Sequence, residues 1–413
     1  MNLVVHRGTN EIGGSCVEIA TNKSRVLIDI GLSLDFEMKT KEQQELISKQ
    51  AQNWCVGVDA IFISHYHQDH HGLLSEVSPG VPVFVTCGTA SMFNINSVFL
   101  PNKTRVKNVQ IIYPATTIAP AIPVTFGDIK ITAFTVDHSA YDACAFLIEA
   151  EGKRILYSGD IRLHGRKGIL YKNLPRNVDY LILEGTNIEK DILSKTENEI
   201  EQELVELFKK EDDKLNLVWC SGQHIDRLTN IFKAARKTNR TMVTDIYVAA
   251  CLHEIHAQND KIPSPLSHAI KVWYTKPIKY KDGETNYSLL FQKQRIRPQE
   301  IKQNPGKFVV LMRPSMLSVL NQNLKVSHAN VITSMWKEYE KDEKKFFDWV
   351  DMQSYEKKHI HTSGHADMQS LRIIADYINP KEIIPIHTLK KESFKATFQQ
   401  RIKLLEDNES YKL

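Results

Sequence analysis

The sequence lacks any apolar run long enough to cross a membrane, which excludes a helical membrane protein. Its opening, Met1-Asn2-Leu3-Val4-Val5, lacks the layout of a secretory leader. Cysteine is sparse: six residues, at 16, 55, 87, 144, 220 and 251, with no C-x-x-C pair. That scatter argues against a disulfide framework and reads as the reduced, mostly buried thiols of a cytoplasmic protein. A dominant charge is missing too, since 53 Lys and Arg against 49 Asp and Glu leave +4. This permits a polyanionic partner without demanding one. No repeat and no low-complexity segment interrupts the chain. What remains is an ordinary globular composition, 42% hydrophobic and 25% charged, with 413 residues for two or three domains.

Against that plain background one stretch stands out: His65-Tyr66-His67-Gln68-Asp69-His70-His71-Gly72. It follows Ala60-Ile61-Phe62-Ile63-Ser64, a β-branched apolar run that predicts a buried strand. His65 and His67 are two apart, so an extended backbone sets both on one side. Asp69 and His70 follow where the chain bends, and can face a second point. Imidazole and carboxylate at this spacing suit a pair of divalent ions, zinc first and manganese second. The alternative is a polar turn of hydrogen-bonded histidines. The spacing resembles the HxHxDH motif of the metallo-β-lactamase fold.

The rest of the chain reads as alternating strands and helices. Short runs at 3–5, 16–19 and 26–30 predict an opening β-meander, with Asp29 at a strand end as a turn residue or a support for ligands. Helices are expected over 43–53 and 88–100, and a helix start over 73–77. Strands at 81–85, 127–136, 144–149, 155–157 and 180–183 follow. Three of them end at Asp137-His138, at Gly159-Asp160 and at Glu184, which gathers polar side chains at one sheet edge. The pattern changes at Ser194. Thr196-Glu197-Asn198-Glu199 is a capping box, and strand, turn, helix and strand over 216–244 form a βαβ unit. Further strands are expected at 309–312 and 331–332, and a helical or loop-like stretch over 336–345. A helix over 371–378 then precedes a strand, 383–386, that delivers His387. The tail 390–413 is polar and reads as helical.

The ligand set is then His65, His67, Asp69, His70, His138, Asp160 and His387. His65, His67 and His138 would take one ion, and Asp69, His70 and His387 the other. Asp160 would bridge them through its two oxygens, with hydroxide between the ions as nucleophile. Taken alone, His138 or His387 is an ordinary histidine; each gains meaning from ending a strand.

The motifs HYHQDH, DHSAYD and YSGDIR match the metallo-β-lactamase fold, and LEGTN, HTSGHAD and PIHT resemble the further motifs of the β-CASP nucleases, a group that includes ribonuclease J. The resemblance implies an α/β chain, a metallo-β-lactamase αββα sandwich over 1–194 and 356–413, with an α/β β-CASP domain inserted at 195–355. It implies a metal-dependent ribonuclease acting on single-stranded RNA. Asp69, Asp160, Glu184 and His365 would be catalytic, and His387, the third β-CASP motif, favours RNA over DNA. Ser221-Gly222-Gln223-His224 resembles the opening of the inserted domain. The length leaves no room for the C-terminal domain through which ribonuclease J dimerises, so the oligomeric state is open, a homodimer included.

His361-Thr362-Ser363-Gly364-His365 also has physical meaning of its own. Its Ser and Gly leave backbone N–H groups for phosphate, so His361, Ser363 and Gly364 are expected at a substrate phosphate. His365 would stabilise charge or protonate the leaving oxygen, unless it only caps the helix after Asp367. Residues 271–307 interleave Trp273, Tyr274, Tyr280, Tyr287 and Phe291 with cations including Lys293, Arg295 and Arg297. That pattern suits a face for single-stranded RNA; the alternative is a solvated surface over core aromatics. His253 and His256 miss the spacing of zinc proteases and read as structural. Two other functions compete: a small-molecule hydrolase of lactonase or thioesterase type, or an inactive scaffold subunit. Whether cleavage is endonucleolytic or 5′ exonucleolytic is not written in the sequence.

Overall fold

In a computed structural model, which describes residues 1–99 and 106–413, the chain divides into two compact units. The first comprises Met1–Asn94, residues 106–194 and Gly364–Leu413; the second is Lys195–Ser363 with residues 95–99.

The first unit holds two seven-stranded sheets among the described residues. One runs Ser410–Lys412, Asn2–Arg7, Cys16–Ala20, Arg25–Ile28, Ala60–Phe62, Val83–Val85, Val109–Ile111. The other runs Val124–Phe126, Ile129–Thr135, Cys144–Ala150, Lys153–Tyr157, Tyr180–Glu184, Glu382–Ile386, Arg401–Ile402. Read in these directions, each sheet has three antiparallel pairings followed by three parallel ones. The sequence shows no repeat, yet the two sheets share one order of pairing. Alternation explains why they meet: Val5, Val17, Ile19, Val26, Ile28 and Phe62 share a buried cluster with Ile131, Phe146, Ile148, Ile155, Ile182 and Ile384. Phe62 stacks on Phe84 at 4.9 Å and meets Phe146 edge-on at 5.9 Å. The helix Lys41–Trp54, closed by a Thr40–Gln43 capping box, brings Trp54 to stack on His6 at 5.0 Å. The αββα sandwich expected from the sequence is the architecture found.

Two local expectations fail. The tail is not helical beyond a single short helix, Ser393–Thr397. Its strands Arg401–Ile402 and Ser410–Lys412 instead cover one edge of each sheet, and Tyr411 reaches Glu382 at 2.9 Å. Pairing to an existing edge satisfies this backbone better than a polar, uncapped helix would. The segment after the histidine turn forms only a 3₁₀ turn, Leu74–Glu76. The helix over 88–100 is found as Cys87–Phe99; Leu100 lies outside the described residues.

The second unit is built on one seven-stranded sheet of parallel pairings: Arg295–Ile296, Ile270–Trp273, Thr241–Asp245, Phe308–Met312, Leu215–Trp219, Ala329–Thr333, Glu356–His359. Runs such as Phe308-Val309-Val310-Leu311-Met312 are apolar throughout because both faces of a parallel sheet are covered. Glu356–His359 pairs with Ala329–Thr333, so this unit runs to Ser363 rather than ending at 355. The Thr196–Glu199 capping box starts the helix Glu197–Lys210. From that helix Glu197, fully buried, forms a two-pronged ion pair with the equally buried Arg227, at 3.2 and 3.1 Å. Arg227 also reaches Ser334 and the Thr362 carbonyl, and Asn230 donates to the Glu197 carbonyl at 2.9 Å.

Removing one partner of such a pair strands a buried charge. Glu197→Ala should therefore lower stability by about 3–5 kcal/mol in urea unfolding, whereas Glu197→Leu with Arg227→Met should recover most of the loss. Equal losses in the single and double variants would mean that packing, not charge, holds this junction.

Candidate metal centre

The histidine turn is placed by contacts from three directions. The Asp69 carbonyl accepts from Ser15 N–H, and the His70 carbonyl from Ile30 N–H. Gly31 admits this approach, since a Cβ there would lie 1.7 Å from the Asp69 carbonyl oxygen. From the second sheet, Ile129–Thr135, Lys153–Tyr157 and Glu382–Ile386 deliver His138, Asp160 and His387 just beyond their ends, and Tyr180–Glu184 ends on Glu184 itself. The Asp137 carboxylate ties two of these loops together. It accepts from Nε of the fully buried Arg162 at 2.9 Å, while the Asp137 carbonyl accepts from Arg162 N–H.

Two groups of ligand atoms result: His65, His67, His138 and Asp160, and Asp69, His70, Asp160 and His387. A third, Glu184, His365 and His387, adjoins them. In the first group His67 Nδ1 lies 3.1 Å from Nε2 of His65 and of His138, and both those nitrogens are 3.6 Å from Asp160 Oδ2. Ligand atoms around a tetrahedral zinc, each at 2.0–2.1 Å, stand about 3.3 Å apart, so this spacing fits an ion between them. In the second, His387 Nε2 is 3.2 Å from Asp69 Oδ2, and His70 Nε2 is 3.1 Å from Asp160 Oδ2. Despite that closeness, both Asp160 oxygens and His70 Nε2 are buried without a hydrogen-bond partner among the described residues. Atoms that converge without bonding to one another are what a divalent cation would satisfy.

The opposite ring nitrogens are held from outside. His138 donates Nδ1–H to the Gly364 carbonyl at 2.7 Å, and His387 Nδ1 meets Thr186 Oγ1 at 2.8 Å. His70 Nδ1 lies 2.7 Å from Asp29, whose carboxylate also accepts from Ser64 N–H, Ser64 Oγ and Tyr157 Oη at 2.7–2.8 Å. Such anchoring fixes the tautomer and turns Nε2 inward. Asp29 thus supports a ligand and is more than a turn residue. Thr186 was not foreseen, although its place beside Glu184 is a signal.

Burial pushes the His67 imidazole down to about 4, and those of His65 and His138 well below their ordinary range, so all three are neutral donors. Burial opposes charge on His70 as well, but Asp160, Asp29 and Asp69 outweigh it and hold its proton. The same carboxylates would hold a cation in the proton's place. His365 follows that logic: burial lowers it, Glu184 and Asp160 raise it, and the balance is about 9. Its Nδ1 lies 3.3 Å from Glu184 Oε1 and 3.1 Å from Thr186 Oγ1.

The remaining expected residues divide. Gly364 is close beside the first cluster, where a Cβ would meet Ser139 Oγ at 2.6 Å. His361 belongs to the second unit and lies 3.4 Å from Arg227; burial, then that guanidinium, push it down to about 3. Ser363 is also in the second unit and half-buried. Lys293, Arg295 and Arg297 are exposed, but Trp273, Tyr287 and Phe291 are core. These three rings cannot stack on bases. Tyr274 remains half-buried, with Arg295 over its ring at 5.0 Å.

Comparison with known proteins agrees with this geometry. Residues 24–210 match a β-lactamase superfamily domain, and residues 354–410 a Zn-dependent metallo-hydrolase RNA specificity domain. A probable RNase MJ4 of Methanocaldococcus jannaschii is 28% identical over 45% of this chain and 45% of its own length. A ribonuclease J of Helicobacter pylori is 24% identical over 92% of this chain and 55% of its own length. The chain spans about half the length of these curated relatives. A crystal structure of an Enterococcus faecalis protein of unknown function shares the fold, with a TM-score of 0.79, 20% identity and 99% of each chain covered. Among the described residues no helix is long and apolar enough to cross a membrane.

The clusters predict two Zn or Mn equivalents per chain by elemental analysis of protein prepared without chelator. Asp160→Ala should lower occupancy of both. Asp29→Ala leaves every ligand in place and should still weaken metal affinity about 10–100-fold. Unchanged affinity in that variant would make the Asp29–His70 contact incidental.

Proposed function

Because the chain belongs to the metallo-β-lactamase-fold proteins of the β-CASP, ribonuclease J-like group, we propose that it is a metal-dependent ribonuclease hydrolysing phosphodiester bonds of single-stranded RNA. The observation that carries the reading is Asp160, whose two unpartnered oxygens lie among Nε2 atoms of His65, His70, His138 and His387. Two divalent ions, zinc first and manganese second, fit there; when bound they lower the pKa of water toward about 7 and offset phosphate charge.

The chain's own residues supply the rest. His65, His67 and His138 hold one side of the site, Asp69, His70 and His387 the other, with Asp160 shared. His365 is the acid: its side chain is 20% exposed where those of His65, His70, His138 and His387 are 0–1%. It can therefore meet a substrate while Glu184 and Thr186 hold its Nδ1 edge, and it donates a proton to the departing 3′ oxygen. Gly364, beside the first cluster, stands at the substrate phosphate. The exposed cations Lys293, Arg295 and Arg297 contact phosphates farther along the strand.

His365→Ala should keep both metals and bind RNA nearly as before, while turnover of end-labelled RNA falls about 10²–10⁴-fold. Loss of a metal would make His365 a ligand, and an unchanged rate would make it structural. Running the substrate with 5′-monophosphate and 5′-triphosphate, labelled at either end, separates endonuclease from 5′ exonuclease products. Charge reversal of Lys293, Arg295 and Arg297 together should flatten the salt dependence of RNA binding by up to about 0.7 per lost contact. An unchanged slope would remove this face from the substrate path.

A further inference from the structure

Beside the first cluster stands a hydroxyl that is not among its ligands. Ser139 follows His138 on the loop that leaves Ile129–Thr135, and its Oγ lies 3.3 Å from His138 Nε2. That nitrogen is the one His138 turns inward. Its Nδ1–H is committed to the Gly364 carbonyl at 2.7 Å, so Nε2 carries the lone pair. In the absence of a cation, Ser139 donates its proton to that lone pair. A cation in the cluster takes the lone pair, and the hydroxyl then needs another acceptor.

The fold reserves the space for this hydroxyl. A Cβ at Gly364 would lie 2.6 Å from Ser139 Oγ, 3.0 Å from its Cβ and 3.3 Å from His138 Cε1. The backbone of Gly364 is not left-handed, so room rather than conformation asks for glycine there. Ligation is the competing use of Ser139 Oγ. Three imidazoles and a carboxylate already make a four-coordinate set, however, and a neutral alcohol competes poorly with them.

The acceptor that remains is one that arrives with the substrate. Ser139 is half-buried where His138 is 1% exposed, so an incoming group can reach the hydroxyl. The His365 ring, 5.1 Å from that of His138, adjoins the same imidazole. A tetrahedral phosphate offers separate oxygens to the two side chains. One non-bridging oxygen accepts from Ser139 while the departing oxygen takes the proton of His365. Negative charge grows on the non-bridging oxygens during attack, so a donor already fixed in place contributes more to the transition state than to the bound substrate.

We propose that Ser139 donates a hydrogen bond to one non-bridging oxygen of the scissile phosphate, and that residue 364 is glycine so that this hydroxyl has its place. The choice of an RNA phosphate rests on the ribonuclease reading; the contact itself is with phosphate.

The test compares the full chain with Ser139→Ala, each loaded with zinc and freed of excess metal. Elemental analysis and circular dichroism should not distinguish them. Inorganic phosphate, followed by calorimetry, should bind about tenfold more weakly to the variant. Its turnover of end-labelled single-stranded RNA should fall about 10²-fold with KM little changed. A single phosphorothioate at the first linkage cleaved then identifies the atom. Sulfur accepts hydrogen bonds poorly, so the diastereomer with sulfur at the contacted position should be cut at nearly equal rates by both proteins. The other diastereomer should keep the full difference. The proposal is overturned if the variant loses a metal, if its phosphate affinity is unchanged, or if both diastereomers show the same ratio of rates. A protein that cuts RNA but gives any of these results loses the Ser139 contact alone. One whose phosphate affinity depends on Ser139 but which never cuts RNA loses the nuclease reading alone.

Discussion

A buried carboxylate ringed by imidazole nitrogens is the constraint on which the first unit depends. Asp160 is 2% exposed, and neither of its oxygens has a hydrogen-bond partner among the described residues. Left so, it would cost several kcal/mol. The surrounding imidazoles reduce that cost only by carrying charge, and His65, His67 and His138 are held neutral by burial. His70 and His365 hold protons against this carboxylate, and a divalent cation would take the protons' place. Metal binding and folding of this unit are therefore linked, and each ion should raise stability in proportion to how far its concentration exceeds its dissociation constant.

That constraint explains the architecture around it. Strand ends are stiff and the loops that leave them are short, so ligands arriving from four strands of two sheets can be set to within fractions of an ångström. The ties are polar and themselves buried. Asp29 joins Ser64, His70 and Tyr157 across both sheets, and Arg162 with Asp137 locks the loops carrying His138 and Asp160. The shared order of pairing in the two sheets gives each half the same edge from which to present ligands, so the centre lies where two similar halves meet.

How much of this could be read from the sequence depended on the range of the interaction. His65, His67, Asp69 and His70 lie within one turn, so spacing alone declares their chemistry. His138, Asp160, Glu184 and His387 follow apolar runs, and strand plus terminal polar residue is still a local pattern. Asp29 shows the same pattern, but the choice between turn residue and support stayed open, because its partner His70 is 41 residues away and the contact exists only once the parallel pairing has formed. The aromatic and basic residues over 271–307 look the same whether the rings face water or core. Only the pairing of Ile270–Trp273 with Thr241–Asp245 decides that Trp273 is inside. The tail's strands, of two and three residues, are too short to carry a period.

The inserted unit is continuous from Lys195, while the sandwich that brackets it is finished only by Gly364–Leu413. That last segment brings His387, the Glu382–Ile386 strand and both edge-covering strands. During synthesis the all-parallel unit has its whole chain available first. The sandwich waits with two open sheet edges and an incomplete ligand set until Gly364–Leu413 has followed. The cluster of ligand atoms can therefore close only after the whole inserted unit has been made.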